Sequence, residues 1–239
     1  MPLPTIATPT YELELPSTGK KIKYRPFLVK EEKLLVLALE TENTTHISTA
    51  IKTVLKNCIQ TRGVKVENLP TFDIEYLFLN IRGKSVGEEI EVNLIAPDDK
   101  ETSVPVTINI DDIKIKKNKG HTNKIKLDKT LMMEMKYPSL DEFVKNNFDF
   151  DGEVDVDQSF DLIASCIDKI YNEEEVWSTA DCTKKEGKDF LEQMNSMQFK
   201  YIEKFFEEMP KLSHSVTFIN PKTKVESTVV LEGLASFFE

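Results

Sequence analysis

Residues 88–110 read EEIEVNLIAPDDKETSVPVTINI, and this stretch decides the fold class. Apolar residues alternate with polar ones at Ile90, Val92 and Leu94, and they alternate again from Val104 to Ile110. The segment between them, residues 96–100 (APDDK), is rich in turn-forming residues. Because strict alternation is typical of a strand with one buried face, the sequence predicts an antiparallel β-hairpin here.

Two further hairpins are predicted, one towards each end of the chain. Near the start, residues 11–15 (YELEL) alternate, and residues 16–19 (PSTG) form a turn before Ile22 and Tyr24. Near the end, Val216 and Phe218 precede an Asn-Pro turn, and a second alternating run ends at Leu231. Each hairpin has one apolar face, which has to be covered by other elements.

Helices are predicted between the hairpins, where apolar residues recur every three or four positions. The first three cover residues 31–40, residues 45–59 and a segment that begins at Thr71. A strand is predicted around residues 131–137. Two helical stripes follow, the first at Phe160, Ile163, Ile167 and Ile170 and the second at Phe199, Ile202, Phe205, Phe206 and Met209.

These patterns together predict an α+β fold, in which β-hairpins and small antiparallel sheets pack with short helices. The C-terminal half is expected to be helical and to end in a hairpin. We expect either two lobes or one continuous domain. In the first case an N-terminal α+β lobe covers residues 1–130, and a mainly helical, acidic lobe with the C-terminal hairpin covers residues 131–239.

Composition excludes several classes of protein. The 239 residues include 31 basic and 41 acidic side chains, a formal net charge of −10 that disfavours nucleic acid as a partner. No apolar run reaches the ~20 residues of a membrane span, and the first residues lack the pattern of a secretory signal. Cys58, Cys166 and Cys182 are an odd number at unrelated spacings, so we expect reduced thiols in an intracellular protein.

Charge is distributed unevenly along the chain. Residues 1–127 carry 19 basic and 17 acidic side chains, whereas residues 128–239 carry 12 and 24. The most basic stretch is residues 114–126, which hold six lysines without interleaved aromatic residues. We therefore predict that Lys114, Lys116 and Lys117 bind an acidic neighbour, such as the C-terminal lobe of another copy, rather than single-stranded nucleic acid.

Two segments partly match ligand-binding motifs. Gly83-Lys84-Ser85 matches the end of a phosphate-binding loop, but Phe78 stands where its first glycine belongs, so we interpret Gly83 as a helix C-cap. Residues 147–158 (NFDFDGEVDVDQ) approach a calcium loop, with Asp149, Asp151 and Asp155 as candidate metal ligands. The first ligand position is Asn and the twelfth is Gln, so an acidic surface loop is the alternative.

Catalytic chemistry is not indicated by the sequence. His46, His121 and His214 are too scattered for a metal site, and neither a nucleophile elbow nor a dinucleotide-binding fingerprint is present. We expect no enzyme activity and no cofactor. The apolar residues Phe237 and Phe238 have to be buried somewhere, either in the core of the chain or against a partner.

Five segments resemble the baseplate hub proteins of T4-like contractile-tailed bacteriophages, a family with a hub subunit and a paralogous hub-assembly protein. They are residues 11–16 (YELELP), 23–33 (KYRPFLVKEEK), 72–88 (FDIEYLFLNIRGKSVGE), 205–214 (FFEEMPKLSH) and 231–238 (LEGLASFF). The resemblance covers nearly the whole chain but consists of packing and turn residues. It carries over no catalytic residue.

The resemblance implies a viral tail component that is made in the host cytoplasm and, if structural, resides in the virion tail baseplate. Its expected partners are other baseplate hub or tail proteins, including copies of itself. Two alternatives are a transient hub-assembly chaperone absent from the mature virion and an acidic calcium-binding or catalytic protein.

Overall fold

A computed structural model describes residues 6–140 and 156–237 of the chain. Its helices are α1 (Val29–Leu39), α2 (Thr44–Cys58), α3 (Thr71–Val86), α4 (Val156–Ser165), α5 (Lys184–Glu192) and α6 (Ser196–Glu208). Its strands are β1 (Tyr11–Glu14), β2 (Lys21–Tyr24), β3 (Glu89–Ile95), β4 (Ser103–Asn109), β5 (Lys114–Lys116), β6 (Lys124–Lys126), β7 (Met132–Met135), β8 (Ile167–Tyr171), β9 (Val176–Ser178), β10 (Lys211–Ile219) and β11 (Glu226–Glu232). The predicted α+β class is confirmed.

All three predicted hairpins are present, and all the strand pairs are antiparallel. β1 pairs with β2, β3 with β4, and β10 with β11. In the hairpin that decides the fold class, Val92 lies opposite Val106 and Leu94 opposite Val104. The alternation of apolar residues therefore gives both the strands and their register, because a shift by one residue would turn the apolar side chains towards water.

Two larger sheets are also present, and the first of them contains the C-terminal hairpin. β5 pairs with β10, which produces a three-stranded sheet in the order β11-β10-β5. The second sheet has the order β6-β7-β8-β9. The asparagine of the β10–β11 turn, Asn220, is fully buried, and its amide donates hydrogen bonds of 3.0 and 3.1 Å to the carboxylate of Asp98 in the β3–β4 turn. This contact ties the tips of two hairpins together.

The buried side chains form two clusters. The first core joins the N-terminal hairpin, α1, α2, α3 and the β3–β4 hairpin to β10, β11 and the segment after them. The second core lies between the four-stranded sheet and α4, α5 and α6, with Met133, Ile167, Ile202 and Phe205 nearly inaccessible to solvent. Every member of the second core falls between residues 125 and 206. In sequence, the second core is therefore an insertion between β5 and β10.

This distribution differs from the predicted division near residue 130. The C-terminal hairpin packs in the first core through Leu212, Val216, Phe218 and Leu231, and not against the helices that precede it. The reason is the pairing of β10 with β5, which returns the chain to the first sheet after α6. Whether the two cores fold as separate units stays a prediction.

One predicted helical stripe is wrong in its second half. α4 ends at Ser165, and Ile167 and Ile170 belong to β8. Asp168 is an extra residue in the β7–β8 pairing, because Glu134 lies opposite Lys169 while Met135 lies opposite Ile167. Because of this β-bulge, Ile167 and Ile170 both pack in the second core although they are three residues apart. A spacing of three residues is also typical of one side of a helix, which explains the wrong prediction.

Gly83 lies inside α3 and is not the predicted C-cap, since the helix continues to Val86 and Gly87 follows it with φ 140°. A Cβ atom at position 83 would lie 2.9 Å from Cδ1 of Ile110. The glycine therefore permits close packing of α3 against the segment after β4. Ser85 accepts a hydrogen bond from Phe27 N at 2.9 Å and donates one to the carbonyl of Ile81 at 2.6 Å, so its hydroxyl group is used within the fold.

A buried ion pair fixes the start of α1. The carboxylate of Glu31, only 1% exposed, accepts hydrogen bonds from Arg25 at 3.0 Å and from the backbone N–H of Leu28 at 2.9 Å. Burial would raise the pKa of Glu31, but these hydrogen bonds and the charge of Arg25 hold it below its usual range. Glu31 therefore caps α1 as a carboxylate.

Candidate functional site

The lysines predicted to bind a partner lie on and beside β5, an edge strand. The ammonium group of Lys114 donates a hydrogen bond to the carbonyl of Asp111, and that of Lys117 donates to the carbonyl of Pro16. Lys116 is exposed and lies opposite Lys211 in the β5–β10 pairing. Two of the three ammonium groups thus have acceptors within the chain, which sequence reasoning missed. The partner-binding role of all three stays a prediction.

Two lysines of the basic stretch border a cleft of about 570 Å³ between β6 and α6. Lys124, Lys126, Lys129 and Lys204 line it together with His121. Lys204 forms an ion pair with Glu208 at 3.7 Å, so part of the positive charge is already neutralised. The cleft is a second place where an acidic segment of a neighbour could lie.

His121 is one of the residues that line this cleft. Its Nε2 atom lies 3.0 Å from the hydroxyl of Tyr137, and its ring stacks on Tyr137 and Phe205 with centroid distances of 5.8 and 5.2 Å. Burial lowers the pKa of His121 from its usual value, although the charge of Glu208 opposes this effect. The histidine is therefore a packing residue of the second core in its neutral form.

Helix α1 exposes an unusual amount of apolar surface. Val29 is 79% exposed, Val36 49% and Leu37 50%, and Leu34 and Leu39 are also partly exposed. α2 covers only the opposite side, where Ala38 is buried. The sequence predicted the helix but not this surface, because a helix with apolar residues on every side does not reveal which side its own fold covers.

An apolar cleft of about 310 Å³ runs along the same helix. It is lined by Leu35, Val36 and Leu39 of α1, by Phe78 and Val86 of α3 and by Leu234, together with residues of α2. Exposed apolar patches of this kind mark contact sites in soluble proteins. The cleft and the exposed surface of α1 adjoin each other at Val36 and Leu39.

A second apolar cleft, of about 340 Å³, lies beside β9, the other edge of the four-stranded sheet. Trp177 is 41% exposed and lines this cleft together with Ile170 and Phe190.

The three cysteines differ in exposure. Cys182 borders the same cleft and is exposed, whereas Cys58 and Cys166 are buried. Burial raises the pKa of the Cys58 thiol to about 11, so this cysteine is a poor nucleophile.

The C-terminal aromatic residues are only partly described. Phe237 is fully buried in the first core, which is the first of the two alternatives for this end of the chain. Phe238 lies outside the described residues. A partner contact through this end of the chain stays a prediction.

The candidate calcium ligands Asp149, Asp151 and Asp155 also lie outside the described residues. Among residues 6–140 and 156–237, no group of three or more His, Cys, Asp or Glu side chains is arranged to hold a metal ion. Within the same ranges, no helix has the length and apolar character to cross a membrane.

Comparison with protein families finds that residues 8–239 match the family described as T4 bacteriophage base plate protein. The chain belongs to this family. The match covers both cores and every element described above, so it applies to the whole fold and not to one motif. No curated protein and no solved structure matches the chain.

Membership of the baseplate family implies a phage structural protein whose neighbours are other tail proteins. It also implies that, as a structural component, the baseplate protein resides in the virion tail.

Proposed function

We propose that this baseplate protein is a non-enzymatic structural component of the hub of a contractile phage tail, and that it acts through contacts with other hub or tail proteins. The observation that carries the proposal is the family match over residues 8–239. The five segments that resemble the hub proteins support the assignment to the hub. The exposed apolar surface of α1 supports a role in binding, because such a surface is costly to leave in water.

A transient hub-assembly chaperone is the alternative within the same family resemblance. It would use the same surfaces in the host cytoplasm and leave before the particle is complete. The two roles differ in one observable property, which is whether the protein is retained in the finished virion.

Quantitative mass spectrometry of purified phage particles, beside lysate of infected cells, tests the proposal. We expect a few stoichiometric copies per particle, measured against another baseplate protein as the internal reference. Presence only in the lysate, together with tail proteins, would establish the chaperone role instead. Association with no tail protein in either sample would overturn both roles.

Lys116 provides a test of the lysine-rich edge, because its ammonium group makes no hydrogen bond or ion pair among the described residues. In the proposed role, Lys116→Ala weakens binding to an acidic neighbour more at low salt than at high salt, since exposed charges are screened. Lys20→Ala is the matched control, since Lys20 is an exposed lysine in the β1–β2 turn. Equal binding by the variant at every salt concentration would rule this contact out.

The proposed contact through the end of the chain needs a sharper variant than deletion. Removing residues 234–239 would also remove Leu234 and Phe237 from the first core, so a loss of binding could reflect unfolding. Phe238→Ser leaves both buried residues in place. If this variant has unchanged stability and unchanged binding to tail proteins, Phe238 is not an anchor.

A further inference from the structure

The exposed side of α1 carries both apolar and charged residues at definite positions. Successive residues of an α-helix are about 100° apart, so positions 29, 33, 36, 37 and 40 share one side. These positions hold Val29, Lys33, Val36, Leu37 and Glu40, and all five are exposed. Glu31 and Ala38, on the opposite side, are buried against the first core. The five exposed residues are called the α1 face below.

The charges of the α1 face are placed symmetrically about its apolar centre. Lys33 and Glu40 are seven residues apart, which is two helical turns or about 10 Å. The midpoint between them falls between Val36 and Leu37. Neither charged side chain takes part in an ion pair with the described residues of its own chain.

This arrangement is complementary to itself when the helix is reversed. If two α1 helices pack antiparallel about a two-fold axis at Val36 and Leu37, each Lys33 lies at the height of Glu40 in the other copy. The apolar residues then meet at the axis, and two equivalent Lys–Glu pairs flank them. A two-fold contact requires a surface that matches itself in this way, and most soluble oligomers are built on such contacts.

We propose that two copies of this baseplate protein associate through an antiparallel, two-fold contact of their α1 faces. The proposal rests on the proposed function, since it names one of the protein contacts through which the hub component acts. A contact built around one helix is small compared with a standard interface, so we expect a reversible dimer with a dissociation constant in the range of about 1–100 µM.

The apolar centre and the charges have separate roles in this contact. Val36 and Leu37 supply the area that is removed from water, and the flanking charges select the antiparallel orientation. An unrelated helical partner could cover Val36 and Leu37 equally well. Only a second, reversed copy pairs Lys33 with Glu40 twice, and this makes the pair of charges the decisive test.

Sedimentation equilibrium of the full chain over about 1–200 µM measures the association. Lys33→Glu places four like charges around the axis, and Glu40→Lys does the same with the opposite sign. We expect each single variant to weaken dimerisation by about tenfold or more. The double variant Lys33→Glu/Glu40→Lys restores the pairing with the charges exchanged, so its dissociation constant should return to that of the wild type.

Two controls distinguish a loss of the α1 contact from a general effect of charge and from a loss of stability. Lys20→Glu makes the same change of charge in the β1–β2 turn and should leave the dissociation constant unchanged. Thermal unfolding of each variant, measured below the dissociation constant of the dimer, should match the wild type because the substituted side chains are exposed.

The proposal is overturned if the wild-type protein is monomeric at all of these concentrations. It is also overturned if the dimer survives either single substitution or if the double variant does not restore it. These results are independent of the proposed function: a protein that is monomeric but present in purified particles would still be a structural component of the baseplate.

Discussion

The two cores of the molecule are assembled in different ways. The first core joins residues from both ends of the chain, from Leu13 to Phe237, whereas the second core is drawn from one continuous stretch between residues 125 and 206. The first core also encloses charged groups such as Glu31 and Asp73, while the second is packed around stacked aromatic rings. The first core thus depends on long-range contacts, and the second could form from its own segment alone.

This difference predicts how far the effect of a substitution in each core should extend through the structure. A change in the first core disturbs the pairing of distant segments, including the β5–β10 pair that closes the insertion. A change in the second core should remain within the insertion, if the two cores unfold separately. The following predictions test that contrast, beginning with the largest expected effect.

Phe237→Ala should cause the largest loss of stability. The side chain is fully buried in the first core, and the substitution leaves a cavity there, so we expect the free energy of unfolding to fall by about 4 kcal/mol. Chemical denaturation monitored by circular dichroism measures this loss. Val230→Ala, at a residue that is 51% exposed on β11, is the control and should change stability by about 0.5 kcal/mol or less. Similar losses for both variants would show that Phe237 is not a core residue.

Ile202→Ala makes the corresponding change in the second core, where Ile202 of α6 is fully buried. We expect a loss of about 3 kcal/mol. In hydrogen-exchange mass spectrometry, the loss of protection should be confined to the insertion. Met197→Ala, at an exposed position of the same helix, should have little effect. An equal loss of protection in β10 and β11 would mean that the two cores unfold as one unit.

Arg25→Met tests the buried ion pair between Arg25 and Glu31 in the first core. The substitution leaves the Glu31 carboxylate buried without its main partner, and we expect a loss of about 2–3 kcal/mol, because Arg25 is itself partly exposed. Lys30→Met removes an exposed cation 3.5 Å from the same carboxylate and should cost about 0.5 kcal/mol or less. Urea denaturation of both variants measures the contrast. Equal losses of stability in the two variants would mean that Lys30 stabilises the Glu31 carboxylate as much as Arg25 does.

The smallest expected effect concerns the pH dependence of the second core. Because burial holds the pKa of His121 below its unfolded value, the unfolded chain binds a proton first as the pH falls. The contribution of His121 to stability is therefore present at about pH 7.5 and decreases towards about pH 5.5. Calorimetry should show a smaller decrease in melting temperature over this interval for His121→Phe than for the wild type. A steeper decrease in the variant would contradict this assignment.

The sequence predicts features that depend on neighbouring residues and misses those that depend on distant ones. The hairpins follow from alternation and turn residues, as in the pairing of β3 with β4. The sequence places Ile170 in a helix and not in β8, because the bulge in β8 gives its apolar residues a spacing that is also typical of a helix. The acceptor of Lys117 could not be predicted either, since Pro16 is about a hundred residues away.

The candidate contact surfaces also differ in whether they depend on neighbouring or on distant residues. The lysine-rich stretch is visible in the sequence because its residues are consecutive. The exposed side of α1 is not visible, because exposure is decided by which elements pack against the helix, and Leu234 of the adjoining cleft comes from the other end of the chain. Surface exposure thus depends on tertiary contacts that local patterns do not encode.

The pairing of β5 with β10 also has a consequence for biosynthesis. β5 emerges from the ribosome long before β10, and the whole second core is synthesised between them. If the two cores fold separately, the insertion can fold during translation while the first core still lacks β10, β11 and Leu234. A nascent chain that stops before β10 lacks these residues of the first core, so the apolar side chains that they would cover stay exposed to water until synthesis is complete.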